Sequence, residues 1–403
     1  MYKKIIQHYP CSRREFIVAS GLFVAGGLVS CRSEEIERPK TRVFTEPIHI
    51  RVRIGKNLQR VTIGDNIFTH TSVGNTPKTI ELKPNTKITI AEKTKTISGT
   101  IVLHPKENVV DTFDVVAHIP IEKYLPGVIA GELFAHWHPA TFSAQAVAAR
   151  SYAASSHLDR QGKSHYDLTD GPSSQMFLGE VALEVAHRAV EETKGVVLHY
   201  NNNIIPAYYS SCCGGLAANA TDAISLSEQH KIPPLQGHSG EDLCTSLDIH
   251  KWKANRSARL LRKRLNACAK PMNIPTLADI RTIRSIESVE KNQHGRPTQL
   301  VIRGRRNETH EVRARDFVRA ANATIPSLPK TKGRVWSSFL NGEKNGSNLS
   351  ITGFGMGHGV GLCQYGAQEL AGRGETWEDI LSWYYPKATL LAQSQVGSEP
   401  SWL

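Results

Sequence analysis

Residues 113–137 read FDVVAHIPIEKYLPGVIAGELFAHW, and the spacing of the apolar residues changes in the middle of them. Up to about residue 118 apolar and polar positions alternate, the period of a strand with one face buried. The same alternation runs through IHIRVRI, RVTIG, TKITIAE and TISGTIVLH upstream, broken by turn signals such as Gly64-Asp65 and Pro84-Asn85. Residues 44–118 are therefore predicted to form an antiparallel β region. From residue 123 the period becomes helical, with Leu125, Val128, Ile129 and Leu133 at i, i+3, i+4 and i+8. This pattern lasts to about residue 158. Pro126 and Pro139 are each placed in a first helical turn. The second helix, from about Ala140, is rich in Ala144, Ala146, Ala148, Ala149, Ala153 and Ala154, small residues that let another element approach closely.

Working outward, residues 181–194 read as a helix ending at Gly195, followed by strands VVLHY and IIPAYYSS. Residues 216–330 read as an insertion, with a basic helix at about 251–266 and strands around RTIRSIESV, TQLVIRG and THEVRA. The block 350–390 is a Gly-rich stretch, a helix, and TWEDILSWYYP, where Thr376 suits a helix cap and Pro386 bars further helix. The order β, then α, then mixed favours an α+β fold over a doubly wound sheet. The expected architecture is a mixed β-sheet core with packed helices and an inserted basic α/β subdomain, forming a substrate cleft. In domain terms this gives a leader (1–30), a linker (31–43), the β-rich region (44–118), a core (119–215 and 331–392), the insertion (216–330) and a tail (393–403).

The composition of the 403 residues, 40% hydrophobic and 21% charged with 31 Gly and 20 Pro, excludes a collagen-like or wholly disordered chain. No apolar run after residue 30 approaches the roughly 18 residues that span a bilayer. The formal net charge is +12, and residues 251–320 alone hold 18 Lys/Arg against 6 Asp/Glu, so the excess belongs to one segment. That segment is expected to be a solvated or envelope-facing surface, and no nucleic-acid partner is expected.

The N-terminus reads as an export address. Lys3, Lys4, Arg13 and Arg14 precede the apolar stretch 17–30. Ser12-Arg13-Arg14-Glu15-Phe16-Ile17 is similar to a twin-arginine signal. Leu28-Val29-Ser30-Cys31 resembles a bacterial lipobox, in which Cys31 is acylated and holds the protein at a membrane through its lipid. The expected location is the cell envelope, periplasmic or on the outer face of the cytoplasmic membrane. After processing, Cys212, Cys213, Cys244, Cys268 and Cys363 remain, with no CxxC pair among them. In an oxidising compartment Cys213 (or Cys212) can form a disulfide with Cys244. No metal site and no cofactor are expected.

Two segments stand out as carriers of chemistry. In the helical stripe of residues 125–133, position i+7 is Glu132, where an apolar residue belongs. A carboxylate turned toward Ile129, Leu133, Phe134 and Trp137 has its charged form disfavoured by desolvation, as a general acid near neutral pH requires. The same position also suits a carboxylate at a helix end, or one paired with Arg150 in a structural ion pair. In GFGMGHGVGLCQYG (353–366) glycine occupies every second position from 353 to 361. An extended chain there has one bare face and one carrying Phe354, Met356, His358 and Val360. No register fits a dinucleotide fingerprint. Cys363 near His358 and the serines 210 and 211 do not form a recognisable nucleophile motif, and His136 and His138 fall on opposite helix faces.

The blocks IPIEKYLPGVIAGEL, FSAQAVAARSYA, HYDLTDGPSSQMFLGE, AVEETKGVVLHYNNNIIPAYYSSCCGG and GFGMGHGVGLCQYGAQELAGRGETWEDILSWYYP, in this order, resemble the SpoIID/LytB family of bacterial cell-wall proteins. The resemblance implies a peptidoglycan lytic transglycosylase that cuts the MurNAc–GlcNAc bond of peptide-stripped glycan strands and leaves a 1,6-anhydro end. An N-acetylmuramoyl-L-alanine amidase is the implied partner. The catalytic acid falls on Glu132, and glycan-groove residues on Gln145, Arg150, Tyr152, Gln175, Ser210, Ser211, His358 and Gln364. The alternative within the family is a non-catalytic, peptidoglycan-binding amidase enhancer. Where some members hold zinc just before the position of Gln175, this chain has Thr169, Ser173 and Ser174; Cys363 stands where Ser is usual. Asp167 and Asp170 are the other acids in the matched blocks.

Overall fold

The computed structural model describes residues 48–106, 109–172 and 174–392. It is an α+β fold, with nine α-helices and several mixed or antiparallel sheets among the described residues. The strands His49–Leu58 and Phe113–Pro120 pair antiparallel from His49↔Pro120 to Leu58↔Phe113 and form the middle of a five-stranded sheet. Alternation explains the first: Ile50 and Val52 are buried while the residues between them are not. Phe113 and Val115 join the core on one face, while on the other Asp114 is buried against Arg53, His165 and the Asn57 amide. At Pro120 the strand passes directly into the helix Ile121–Glu132. Pro126 therefore lies inside that helix rather than in its first turn.

The long helix Pro139–Arg160 starts as the sequence predicts, with Pro139 in its first turn and the His138 ring accepting a hydrogen bond from the Ala140 amide at 3.2 Å. Its alanines are buried on two sides. Ala146, Ala149 and Ala153 pack into the core of the β region, while Ala144, Val147 and Ala148 pack into a second core with Leu198, Val360, Leu362, Ile380 and Tyr384. One helix thus serves as the wall between two cores, which only side chains this small permit. Tyr209–Ser210 and Leu362–Cys363 pair in parallel on its second side, joining segments far apart in sequence.

A third core lies in a six-stranded antiparallel sheet, in the order 251–257, 348–354, 340–345, 285–291, 297–303, 309–313. The helices Ala258–Ala269 and Ala314–Asn322 pack on it through Leu261, Leu265 and Phe317. Two expectations change here. Residues 251–257 form a strand paired with 348–354, and the helix begins only after Ser257, whose hydroxyl accepts from the Leu260 amide. The sheet also runs past residue 330, since 340–354 supply its second and third strands. Nor is all of the basic segment solvated. Arg256, Arg264 and Arg296 are buried and donate to backbone carbonyls, for example Arg256 to Gly333 and Ala321 at 2.9 and 2.7 Å.

Candidate active site

Glu132 is the last residue of its helix, and the chain turns extended at Leu133. The carboxylate remains half-buried because the segment 175–179 lies against the same helix. Gly127 and Gly131, one turn apart, make that approach possible. A Cβ on Gly127 would run into the Gly179 carbonyl, and one on Gly131 would press on Met176 and Leu178 at 3.2 Å. The Leu178 amide bonds to the Gly127 carbonyl at 3.1 Å, and the Met176 amide reaches Glu132 Oε1 at 2.9 Å. From the other side Gln364, the first residue of the helix Gln364–Gly372, donates to Glu132 Oε2 at 3.3 Å and stands 3.4 Å from Gln145 Oε1.

These are neutral donors. Among the described residues no ion pair involves Glu132. Burial pushes its pKa upward, outweighing the opposing hydrogen bonds from Met176 and Gln364. Asp167 and Asp170 differ. Asp167 is fully buried, pairs with Arg51 at 2.5 Å and His157 at 2.9 Å, and is held below the usual carboxylate range. Asp170 pairs with Lys95 at 2.5 Å, and burial raises it. Of these three acids, Glu132 has no cation partner among the described residues.

The sequence-derived site residues separate into groups. Glu132, Gln145 and Gln364 meet. Tyr152, Tyr208 and His358 form a chain of edge-on rings, 5.5 and 5.9 Å between centroids. His358 Nδ1 accepts from the Val360 amide at 3.0 Å, and burial with nearby Arg296 lowers its pKa to about 4, so the ring is neutral. The Ser210 hydroxyl accepts from the Gly359 amide at 3.1 Å, and the Ser211 carbonyl from the Tyr365 amide at 3.1 Å.

Arg150 and Gln175 lie apart from both groups. Arg150 is fully buried and grips Glu122, not Glu132, through two bonds at 2.9 and 2.8 Å. It also donates to the carbonyls of Val190 and Val196, so no edge of its guanidinium faces a groove. Gln175 spends its amide internally, donating to the Ala149 carbonyl and accepting from the Tyr124 hydroxyl, both at 3.1 Å. Its effect is to pin the segment that carries Met176. Phe134 does not shield Glu132 either: it is 53% exposed and leads a ring cluster with Trp137 and Tyr365.

The Met176 amide escaped sequence reading because a backbone donor has no residue type. The Gly127/Gly131 spacing was the available signal for it. A second gathering was also missed. Sγ of Cys213, Cys244 and Cys363 and an Asp242 oxygen lie within 4.8 Å of one another, although no sequence spacing pairs Cys363 with the others. Cys213 and Cys244 are free, with their sulfurs 3.6 Å apart. Cys31 and the leader lie outside the described residues. No helix among the described residues is long and apolar enough to cross a membrane. A cavity of about 250 Å³ lies along Arg53–Lys56 and Thr169–Gly171, without Glu132 in its lining.

Comparison with known proteins adds to the geometry. Residues 110–200 match the SpoIID family (Stage II sporulation protein), and residues 215–361 match a domain of unknown function (DUF8618). The chain is 32% identical over 298 residues to a protein of Bacillus subtilis (strain 168) named "Amidase enhancer", a match covering 66% of this chain and 40% of that protein. It is 25% identical over 289 residues to "Stage II sporulation protein D" of the same organism, covering 67% of this chain and 74% of the relative. An uncharacterized protein of Brachyspira hyodysenteriae is 28% identical over 291 residues, covering 72% of this chain and 71% of the relative.

Proposed function

Since the chain belongs to the SpoIID/LytB family, we propose that it acts on the bacterial cell wall as a lytic transglycosylase with Glu132 as its acid. The observation that carries this reading is a half-buried carboxyl, raised in pKa, held by two neutral donors and in no ion pair among the described residues. In its protonated form Glu132 donates to the oxygen linking MurNAc to GlcNAc while positive charge develops at C1. The Met176 amide and Gln364 hold the carboxyl in place and stabilise the carboxylate it becomes. Ordinary glycosidases use a second carboxylate for water or covalent attack. Here the C6 hydroxyl of the muramyl residue closes on C1 instead, and its proton returns to Glu132, leaving a 1,6-anhydro end. The exposed Phe134 ring two residues away offers a flat apolar face to a pyranose. The engagement of Asp167 and Asp170 with cations supports a one-carboxylate mechanism.

The test is digestion of purified, peptide-stripped glycan with product analysis by mass spectrometry. Anhydro-saccharides are expected from the native chain, and a rate about 10²–10⁴-fold lower from Glu132→Gln, the range for losing acid catalysis. Undiminished cleavage by the variant would refute the role of Glu132. The relative named "Amidase enhancer" favours a second reading, a wall-binding module that stimulates an amidase. That reading expects intact glycan, measurable binding, and faster peptide release when an amidase is added. In either case we propose export with an acyl chain on Cys31, tested by a mobility shift on Cys31→Ser and by membrane fractionation.

A further inference from the structure

Below the parallel pair Tyr209–Ser210/Leu362–Cys363 lie four side chains that glycan cleavage does not use. Cys213, Cys244, Cys363 and Asp242 are at most 1% exposed, and their Sγ and carboxylate atoms all fall within 4.8 Å of each other. Two thiolates on one tetrahedral zinc, at about 2.3 Å each, stand about 3.8 Å apart; the Cys213 and Cys244 sulfurs are 3.6 Å apart. The surroundings suit charged ligands. Cys363 Sγ accepts the amides of Cys213 and Gly366 at 3.3 and 3.4 Å. Asp242 accepts the Cys244 amide at 2.9 Å and the Tyr384 hydroxyl at 2.7 Å, the outer contacts that orient metal ligands.

A third observation comes from Arg296. Its guanidinium is 1% exposed, bonds only to the carbonyls of Cys213 and Leu216, and leaves Nε and one terminal nitrogen without a partner. Among the described residues no ion pair neutralises it, and the titratable groups beside it are the cysteines Cys212, Cys213, Cys244 and Cys363. A buried cation with donors left over is stabilised by an anion placed beside it. Neutral thiols or a disulfide would put no charge there. Three thiolates and Asp242 around a divalent ion carry a net −2, which places negative charge beside Arg296.

We propose that Cys213, Cys244, Cys363 and Asp242 form a structural zinc site. Three soft sulfurs and one carboxylate in a closed shell suit zinc over magnesium or calcium. Binding releases the thiol protons, and because the shell is buried the metal enters as the chain folds. The site clamps the segments 212–213, 242–244 and 363, and so fixes the start of the helix that presents Gln364.

The test uses the full chain purified without chelator. Expected are one zinc per chain by elemental mass spectrometry, retained in Cys268→Ser, and a weaker affinity in Asp242→Asn by chelator competition. Cys363→Ser should lose the metal. The cobalt-loaded native chain should show the intense visible bands of a tetrahedral ion and a thiolate charge-transfer band, a readout that needs no variant to fold. A native chain without stoichiometric zinc, a mapped Cys213–Cys244 disulfide, or zinc affinity unchanged in both Asp242→Asn and Cys363→Ser would each overturn the proposal. None of these readouts depends on glycan cleavage.

Discussion

The carboxyl of Glu132 and the guanidinium of Arg150 show how far single positions can be read. Glu132 interrupts an apolar stripe; the structure puts it at the end of its helix, half-buried, with its carboxylate accepting the Met176 amide. Its raised pKa has a consequence for stability. The folded value lies above the unfolded one, so the proton's contribution is fully present below the ordinary carboxylate pKa and is lost as pH rises through the raised value. Glu132→Gln should therefore melt higher than the native chain near neutral pH, with the gap closing in acid, as thermal scans across pH would record. Cleavage should fall over the same upper range, where the acid has lost its proton. Arg150 resembled a groove residue in its block, yet sequence cannot tell a cation facing a ligand from one facing Glu122. Breaking that pair with Arg150→Met should cost about 3–5 kcal/mol by denaturant titration, with cleavage per folded molecule little changed.

Elements were legible where their period was strong and local. The helix cap at Thr376 is as read, its hydroxyl accepting from the Asp379 amide at 3.2 Å. Residues 251–257 misled because their basic residues continue the polar face of the helix that follows, whereas the pairing with 348–354 that makes them a strand is far away in the chain. The contact between the helix Ile121–Glu132 and the segment 175–179 rests on Gly127. Gly127→Ala should destabilise by about 1–3 kcal/mol, the usual range for overpacking, and should slow cleavage by shifting the Met176 amide away from Glu132. Gly372→Ala is the matched control. Its Cβ meets nothing within 4 Å, so a gain of about 0.4–1 kcal/mol is expected from the stiffened unfolded chain.

At the level of the molecule, the fold class and the β-then-α order were readable, while the extent of the insertion was not. The basic helix and strands put its limit at residue 330, but the sheet closes on Leu340, Leu349 and Ile351. Hydrogen exchange should reflect this division. Amides in the two cores that share the helix Pro139–Arg160 should open together, and those of 251–354 as a separate unit. A single exchange class across all three would contradict that picture. The sheet's two ends also meet: Lys251 pairs with Phe354, and the His250 carbonyl accepts from the Gly355 amide at 2.6 Å. The tract also reaches back across to the chain it leaves, since Asn292 donates to the Ala217 carbonyl at 2.9 Å and Arg296 to the Leu216 carbonyl at 2.9 Å, so a change in its length pulls on the cysteine cluster as well as on its own sheet.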